Sequence, residues 1–163
     1  MADRITMRKW FWVWDFEKEE AWLNEMSLNG WALESVGFCT YNFVRCEPGE
    51  YTIRIEMRKY DQAYVDFVES TGAEFIDRML LWMYFRKKTE KGPFDLFSDI
   101  DSRISYLDRI GKFLMIVGGA NLIIGLVNTG GRINLICATV LMYALGRIHG
   151  KKEALTKERQ LRE

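Results

Sequence analysis

The sequence predicts an α+β fold: a ferredoxin-like sandwich made of two strand–helix–strand–strand repeats, followed by a transmembrane helical hairpin. Two observations lead to this prediction. Strand and helix patterns in the first half of the chain recur at a constant offset, which is the distance along the chain from Gly30 to Gly72. Near the carboxyl end, residues 113–127 and 133–148 are almost entirely apolar, and a polar turn containing two glycines separates them.

The composition limits the classes of partner. The chain has 163 residues, and its 23 basic and 23 acidic side chains give no formal net charge. A neutral chain lacks the basic field that nucleic-acid-binding proteins present, so we expect no nucleic-acid partner. The length fits one domain of about 90 residues plus the hairpin.

The first repeat begins with the motif RKWFWVW, residues 8–14, which we interpret as a strand because aromatic and β-branched side chains favour strands. Asp15 is expected to cap a helix, and Gly30 ends it, since glycine adopts positive φ at little cost. Residues 31–37 then form a strand, and residues 38–46 form its continuation or its hairpin partner. Residues before the motif are expected to be disordered.

The second repeat follows a turn that contains Pro and Gly. Residues 51–57 are the clearest strand in the chain, because isoleucines alternate there with polar side chains. Asp61 caps the second helix, Gly72 ends it, and residues 73–88 form another strand or strand pair.

The constant offset between the repeats, which we call the repeat offset, aligns the strand faces, the helix stripes and the helix ends without a gap. A unit repeated in this way predicts both helices on one face of an antiparallel sheet. The aligned pairs are Phe11 with Ile53, Val13 with Ile55, Trp22 with Tyr64, Met26 with Val68, Gly30 with Gly72, Leu33 with Phe75, and Phe43 with Phe85.

The hairpin is predicted to lie in the cytoplasmic membrane. A helix needs roughly 20 residues to cross a bilayer, and the first stretch reaches back to Ile110 if Lys112 extends its amine to the interface. Basic residues precede the first helix and follow the second, so both termini are expected in the cytoplasm. Asn121 and Asn134 are placed to hydrogen-bond across the hairpin. The alternative is a soluble helical hairpin buried against the domain or in an oligomer.

These observations predict four segments. Ser98 and Asp101 are expected to form a capping box that starts a helix over residues 99–110. The segments are a cytoplasmic α+β domain at 8–92, a linker and juxtamembrane helix at 93–112, the two-helix membrane hairpin at 113–148, and a charged cytoplasmic tail at 149–163.

No residue pattern points to catalysis, so we expect no enzymatic activity and no cofactor. Cys39, Cys46 and Cys137 lack metal-ligand spacing, and the sole histidine, His149, lies at the membrane edge among basic residues. No metal site and no catalytic residues are predicted.

Several blocks of the sequence resemble an uncharacterised bacterial family catalogued as domain of unknown function 2812. They are WDFEKEEAWLNEM and GPFDLFSDIDS, with RKWFWVW, CEPGEY and YFRKKTEKG around them, and the resemblance spans residues 9–110. It implies a soluble domain followed by membrane helices, encoded near PadR-type transcriptional regulators. The resemblance suggests regulation but carries over no functional residues.

The candidate site is the sheet face opposite the helices. The alignment turns Phe11, Val13, Ile53 and Ile55 toward the helices, and it places on the opposite face Trp10, Trp12, Trp14, Arg54 and Glu56. A sheet face without helices is normally polar, so three tryptophans there need a cover. That cover is a bound amphipathic or cationic molecule, a second copy or another membrane or regulatory protein, the membrane surface, or the chain's own residues 94–97 with the preceding strands.

The sequence therefore predicts a membrane-tethered cytoplasmic sensing or protein-interaction domain with a regulatory role. The lipid bilayer is one partner, and the aromatic face binds an amphipathic ligand or another protein. The alternative is a structural subunit of a membrane complex that has no ligand of its own.

Overall fold

A computed structural model of the protein describes residues 3–97, 99–128 and 131–162. The chain divides into two compact units, the first ending at Leu96 and the second beginning at Phe97.

The first unit is an α+β structure with two three-stranded antiparallel sheets. The first sheet has the order β1-β3-β2, and the second has the order β4-β6-β5. The single sheet of the ferredoxin-like prediction is thus replaced by two, one from each repeat. The elements are β1 (Arg4–Arg8), α1 (Phe16–Leu28), β2 (Trp31–Gly37), β3 (Thr40–Arg45), β4 (Tyr51–Met57), α2 (Gln62–Ser70), β5 (Ala73–Met79) and β6 (Trp82–Lys88).

The repeat offset holds from the helix onward in each repeat. Gly30 and Gly72 have φ values of 79° and 87°, which is the left-handed geometry expected after a helix. The pairing shifts register between Leu33 and Ser35 in one sheet and between Phe75 and Asp77 in the other. The two strand pairs therefore share an irregularity at the same position.

The first strand departs from the prediction. β1 is Arg4–Arg8, so both the disordered start and the strand at residues 8–14 were wrong. Thr40 and Trp82 are related by the repeat offset, and they pair with Arg8 and Met57 respectively. The offset alone would relate Arg8 to Glu50, so the first repeat carries an insertion between its first strand and its helix. Trp10, Trp12 and Trp14 lie in this insertion.

Helix α1 lies between the two sheets. Its Trp22 ring lies 5.0 Å from the Tyr41 ring and 5.7 Å from the Phe43 ring of the first sheet. On its other side, Glu19 accepts a hydrogen bond from the hydroxyl of Tyr84 in the second sheet.

Helix α2 packs on the opposite face of the second sheet. Val65 and Val68 of α2 form a buried cluster with Met83 and Phe85 of β6. Residue 84 lies between these two in the strand and points the other way, because side chains alternate along a strand. The first sheet also contacts the second directly, because the Val36 amide of β2 donates to Asp77 of β5 at 3.0 Å and Arg86 of β6 donates to the Leu33 carbonyl at 3.0 Å. One face of the second sheet therefore meets α1 and the edge of β2, and α2 covers the other face.

Side chains of α1 also complete the outer edge of β4. Each of three polar residues, one turn apart on the helix, hydrogen-bonds to backbone groups that a neighbouring strand would otherwise bind. Asn24 accepts from the Ile53 amide at 2.9 Å and donates to the Ile53 carbonyl at 3.0 Å. The three pairs are Ser27 with Tyr51, Asn24 with Ile53, and Glu20 with Ile55.

The second unit consists of two long apolar helices packed as a hairpin, α3 (Ile100–Val127) and α4 (Arg132–Arg162). Ser98 of the predicted capping box and Thr129 and Gly130 of the predicted turn lie outside the described residues. The capping box that the structure shows pairs Asp99 with Ser102.

Glycines of α3 bring the two helices close together. Gly111, Gly118 and Gly125 recur at a heptad spacing and all face α4. A Cβ added at Gly125 would lie only 2.7 Å from Leu135 Cδ2 and 3.1 Å from the backbone nitrogen of Leu135. The side chain of Asn121, expected to bond across the hairpin, donates to the Val117 carbonyl of its own helix at 2.8 Å.

Ion pairs join the two helices at the end of the hairpin away from the turn. Lys152 Nζ lies 2.6 Å from Asp108 Oδ1, and Arg159 Nη1 lies 2.7 Å from Asp101 Oδ1. The last turns of α4 are therefore paired with the first turns of α3. Both helices are long and apolar enough to cross a membrane, by length and composition alone.

Candidate interaction site

Four aromatic side chains form a continuous row on the surface of the first unit. We call Trp10, Trp12, Trp14 and Phe38 the aromatic row. The ring centroids are 5.9 Å apart for Trp10 and Phe38, 5.4 Å for Trp10 and Trp12, and 4.9 Å for Trp12 and Trp14, which are stacked. Trp10 is 54% exposed, Trp12 is 45% exposed and Phe38 is 74% exposed.

The backbone around Lys9 holds this row in place. The Lys9 amide donates to the Cys39 carbonyl at 3.1 Å, which ties the segment to the turn between β2 and β3. Phe11 turns inward and contacts Trp22 of α1 at 5.6 Å, while the Lys9 ammonium lies 4.5 Å from the centre of the Trp22 ring. Because Phe11 anchors the segment, the tryptophans on either side of it are directed outward.

Arg54 and Glu56, the other two predicted site residues, are bound to the helices instead. Arg54 forms an ion pair with Glu20 of α1 at 3.3 Å. Glu56 is buried, and its carboxylate accepts a hydrogen bond from the Tyr64 hydroxyl of α2. None of these contacts joins them to the aromatic row. The structure thus brings the three predicted tryptophans together and adds Phe38, which the sequence reasoning missed.

The segment after β6 does not supply the cover that the sequence left open. Phe94 is buried against Val65, Val68, Met83 and Phe85, and Leu96 packs on the same cluster. These two side chains complete the core under α2.

A second polar feature was not predicted: a buried carboxylate shared by both sheets. Glu19 Oε1 accepts from the Tyr41 hydroxyl at 2.8 Å and from the Tyr84 hydroxyl at 2.7 Å. Burial raises the pKa of Glu19, and the two hydrogen bonds offset only part of that rise. Glu19 lies one helical turn before the buried Leu23, and this spacing is the signal that could have revealed it. The described residues include no group of His, Cys, Asp or Glu that could hold a metal ion.

Glu19 should make the stability of the first unit depend on pH. Its pKa is raised in the folded state above the ordinary value of 4.5, so the folded state binds the proton more tightly than the unfolded state. The associated stabilisation is complete below about pH 4.5 and is lost as pH rises through the folded-state pKa. Glu19→Gln keeps an acceptor for both hydroxyls without a charge, so its unfolding midpoint should fall less than the wild-type midpoint above pH 4.5.

Tryptophan fluorescence is a suitable readout, because all six tryptophans lie before Leu96. Burial also raises the pKa of Glu20. Because Glu20 is present in both proteins, its contribution to the pH dependence cancels when Glu19→Gln is compared with the wild type. Equal pH slopes in the wild type and Glu19→Gln would rule out Glu19 as the source. Glu19→Ala, which leaves both tyrosines without their acceptor, should lower the midpoint at every pH.

The comparisons with known proteins give one family. No curated protein and no solved structure matches the chain. The family model described as "Protein of unknown function (DUF2812)" matches residues 15–118, which is more than half of the chain. The match begins at Asp15 and therefore leaves the tryptophans of the aromatic row just outside it. The family resemblance seen in the sequence is confirmed, and the chain belongs to the family of proteins of unknown function DUF2812.

Proposed function

We propose that the protein is a membrane-anchored, non-enzymatic interaction domain that holds a partner protein against the aromatic row and thereby serves a regulatory role. The observation that carries the proposal is the exposure of Trp10, Trp12 and Phe38 side by side on the first unit. Contiguous exposed apolar surface mostly marks an interaction site, because leaving it in water costs about 25 cal/mol per Å².

The shape of the row favours a protein over a small ligand. Small molecules are usually bound in concave pockets that bury most of their surface. Here Trp10, Trp12 and Phe38 are each about half exposed or more, and each ring contacts the next on the surface. Tryptophan is the residue most enriched among those that contribute most to protein–protein binding. A partner that covers the row would remove several large rings from water together.

The proposed anchor is the hairpin in the second unit. At 1.5 Å per residue, α3 and α4 are about 42 Å and 46 Å long, which exceeds the roughly 30 Å of a bilayer core. Exposed apolar residues are concentrated near the turn, whereas the interhelical ion pairs lie at the other end. The exposed residues include Met115, Ile116, Ile123, Leu126, Val127, Ile133, Ile136 and Tyr143.

This distribution suits a hairpin that enters the bilayer from one side. Basic residues at both ends of the hairpin favour cytoplasmic termini under the positive-inside rule. We propose that the first unit is held at the cytoplasmic surface of the membrane, where the aromatic row meets its partner.

The test is site-specific photo-crosslinking from the full-length protein in its native membrane. A photoreactive phenylalanine analogue at Phe38 should give one discrete adduct. Leu80 is the matched control, because it occupies the equivalent turn of the second repeat and is 83% exposed. The same analogue at Leu80 should give no such adduct, and Trp12→Ala should remove the adduct from position 38. Adducts of equal yield from both positions, or from neither, would refute the proposal.

A further inference from the structure

We infer that the partner contributes an extended, acidic segment that adds as a strand to the open edge of β1, beside the aromatic row. The inference rests on the proposed function and specifies the chemistry of the partner.

The first sheet has an outer edge that is equivalent to one already occupied in the second. In β4, α1 side chains bind the outward backbone groups of Tyr51, Ile53 and Ile55. Arg4 and Thr6 of β1 are equivalent to Ile53 and Ile55, because their partners in β3 and β6 are related by the repeat offset. Among the residues that the structure describes, none hydrogen-bonds the outward backbone groups of Arg4 and Thr6.

The ladder shows which backbone groups of β1 face outward. The Arg45 amide donates to the Asp3 carbonyl at 2.9 Å, and the Lys9 amide donates to the Cys39 carbonyl at 3.1 Å. In an antiparallel pair, hydrogen-bonded and non-hydrogen-bonded residues alternate. The odd-numbered residues of β1 therefore bind β3, while the amides and carbonyls of Arg4, Thr6 and Arg8 point away from the sheet. Such an edge is a template for another strand.

Charge favours an acidic occupant. β1 contains Arg4 and Arg8 and no acidic residue. Arg4 is paired with Glu34 at 2.6 Å, but its side chain is 69% exposed. Arg8 is exposed on the same side of the strand. Acidic side chains at alternate positions of an added strand would face these cations, and cross-strand pairs of opposite charge stabilise a sheet.

The same charges disfavour a second copy of β1 on this edge. A two-fold antiparallel pair centred on Thr6 would place Arg4 opposite the other copy's Arg8. Like charges directly opposite each other destabilise a strand pair. The aromatic row begins at Trp10, just beyond the end of β1. A strand from another protein that continues past Arg8 would reach the tryptophans and needs apolar residues there.

Thr6→Pro tests the strand addition directly. Proline removes the outward amide of Thr6. Because this amide points away from β3, no ladder bond is lost, and proline is tolerated at such positions of edge strands. The probe is a random peptide library displayed on phage and selected on the full-length protein in nanodiscs. We expect enriched peptides to share alternating acidic residues next to apolar ones. The best peptide should bind Thr6→Pro roughly tenfold more weakly, and Thr6→Ala as tightly as the wild type.

The outcomes separate this inference from the proposed function. If Trp12→Ala abolishes peptide binding and Thr6→Pro does not, the aromatic row is a docking site but strand addition is refuted. If neither variant weakens binding, both proposals fail. Enriched peptides without acidic residues, or binding that does not weaken with added salt, would refute the charge argument. Tryptophan-fluorescence melting of Thr6→Pro that matches Thr6→Ala, which also loses the hydrogen bond to Asn42, confirms that the variant is folded.

Discussion

Replacing Asn24 with leucine is expected to lower the free energy of unfolding of the first unit by about 2–4 kcal/mol. The Asn24 side chain substitutes for a neighbouring strand, since it accepts from the Ile53 amide and donates to the Ile53 carbonyl. Leucine has a similar size but can do neither, so two partly buried backbone groups would lose their partner. Each unsatisfied group costs roughly 1–3 kcal/mol. Urea denaturation followed by tryptophan fluorescence measures the change.

The repeat supplies a matched control for this substitution. Asp66 of α2 is equivalent to Asn24, because the repeat offset relates the two and they lie on the same face of their helices. Asp66 is exposed and accepts a hydrogen bond from Gln62 of its own helix. Asp66→Leu should therefore change the free energy of unfolding by no more than about 0.5 kcal/mol. Equal losses at both positions would show that helix propensity or surface charge, and not the edge of β4, is responsible.

Adding a single methyl group at Gly125 is expected to disrupt the hairpin of the second unit. The new Cβ would lie 2.7 Å from Leu135 Cδ2 and 3.1 Å from the backbone nitrogen of Leu135. The leucine side chain has limited freedom to move, and the backbone can yield only if the helices separate. Overpacking of this kind costs about 1–3 kcal/mol. Gly125→Ala should lower the melting midpoint of the helical circular-dichroism signal of the full-length protein in nanodiscs.

Gly119 tests whether the effect comes from the contact between the helices. It lies in the same apolar stretch of α3, but apart from the helix's own backbone no atom of the described residues lies within 4 Å of an added Cβ. Alanine at position 119 should be neutral or stabilising by up to about 1 kcal/mol, because alanine favours helix more than glycine does. Tryptophan fluorescence of the first unit should not change in either variant. A lower midpoint for Gly119→Ala as well would refute the packing explanation.

The parts of the fold that local signals specify could be predicted from the sequence. Glycines at 30 and 72 end the two helices, and the strand patterns that follow each glycine predict both strand pairs. The apolar stretches near the carboxyl end predict two long helices, and the structure contains them. In each case the determining residues are close together in the sequence.

The first strand could not be identified in this way, because two segments competed for one position. Residues 8–14 have a stronger β propensity than residues 4–8, whose charges obscure the alternation of Ile5 and Met7. The tryptophan rings of the aromatic segment instead pack against one another, and Phe11 packs against Trp22. Similarly, acidic residues are common at the start of a helix, so Glu19 and Glu20 do not stand out in the sequence. Their contacts with Tyr41, Tyr84 and the edge of β4 are formed only in the folded protein.

The polar face of the first sheet has a consequence for solubility. A sheet face without a helix on it promotes association between molecules when it is apolar. Tyr84 and Ile55 lie on the face of the second sheet on which α1 rests, and their counterparts in the first sheet are Asn42 and Thr6, which hydrogen-bond to each other. These polar side chains keep the face of the first sheet opposite α1 compatible with water.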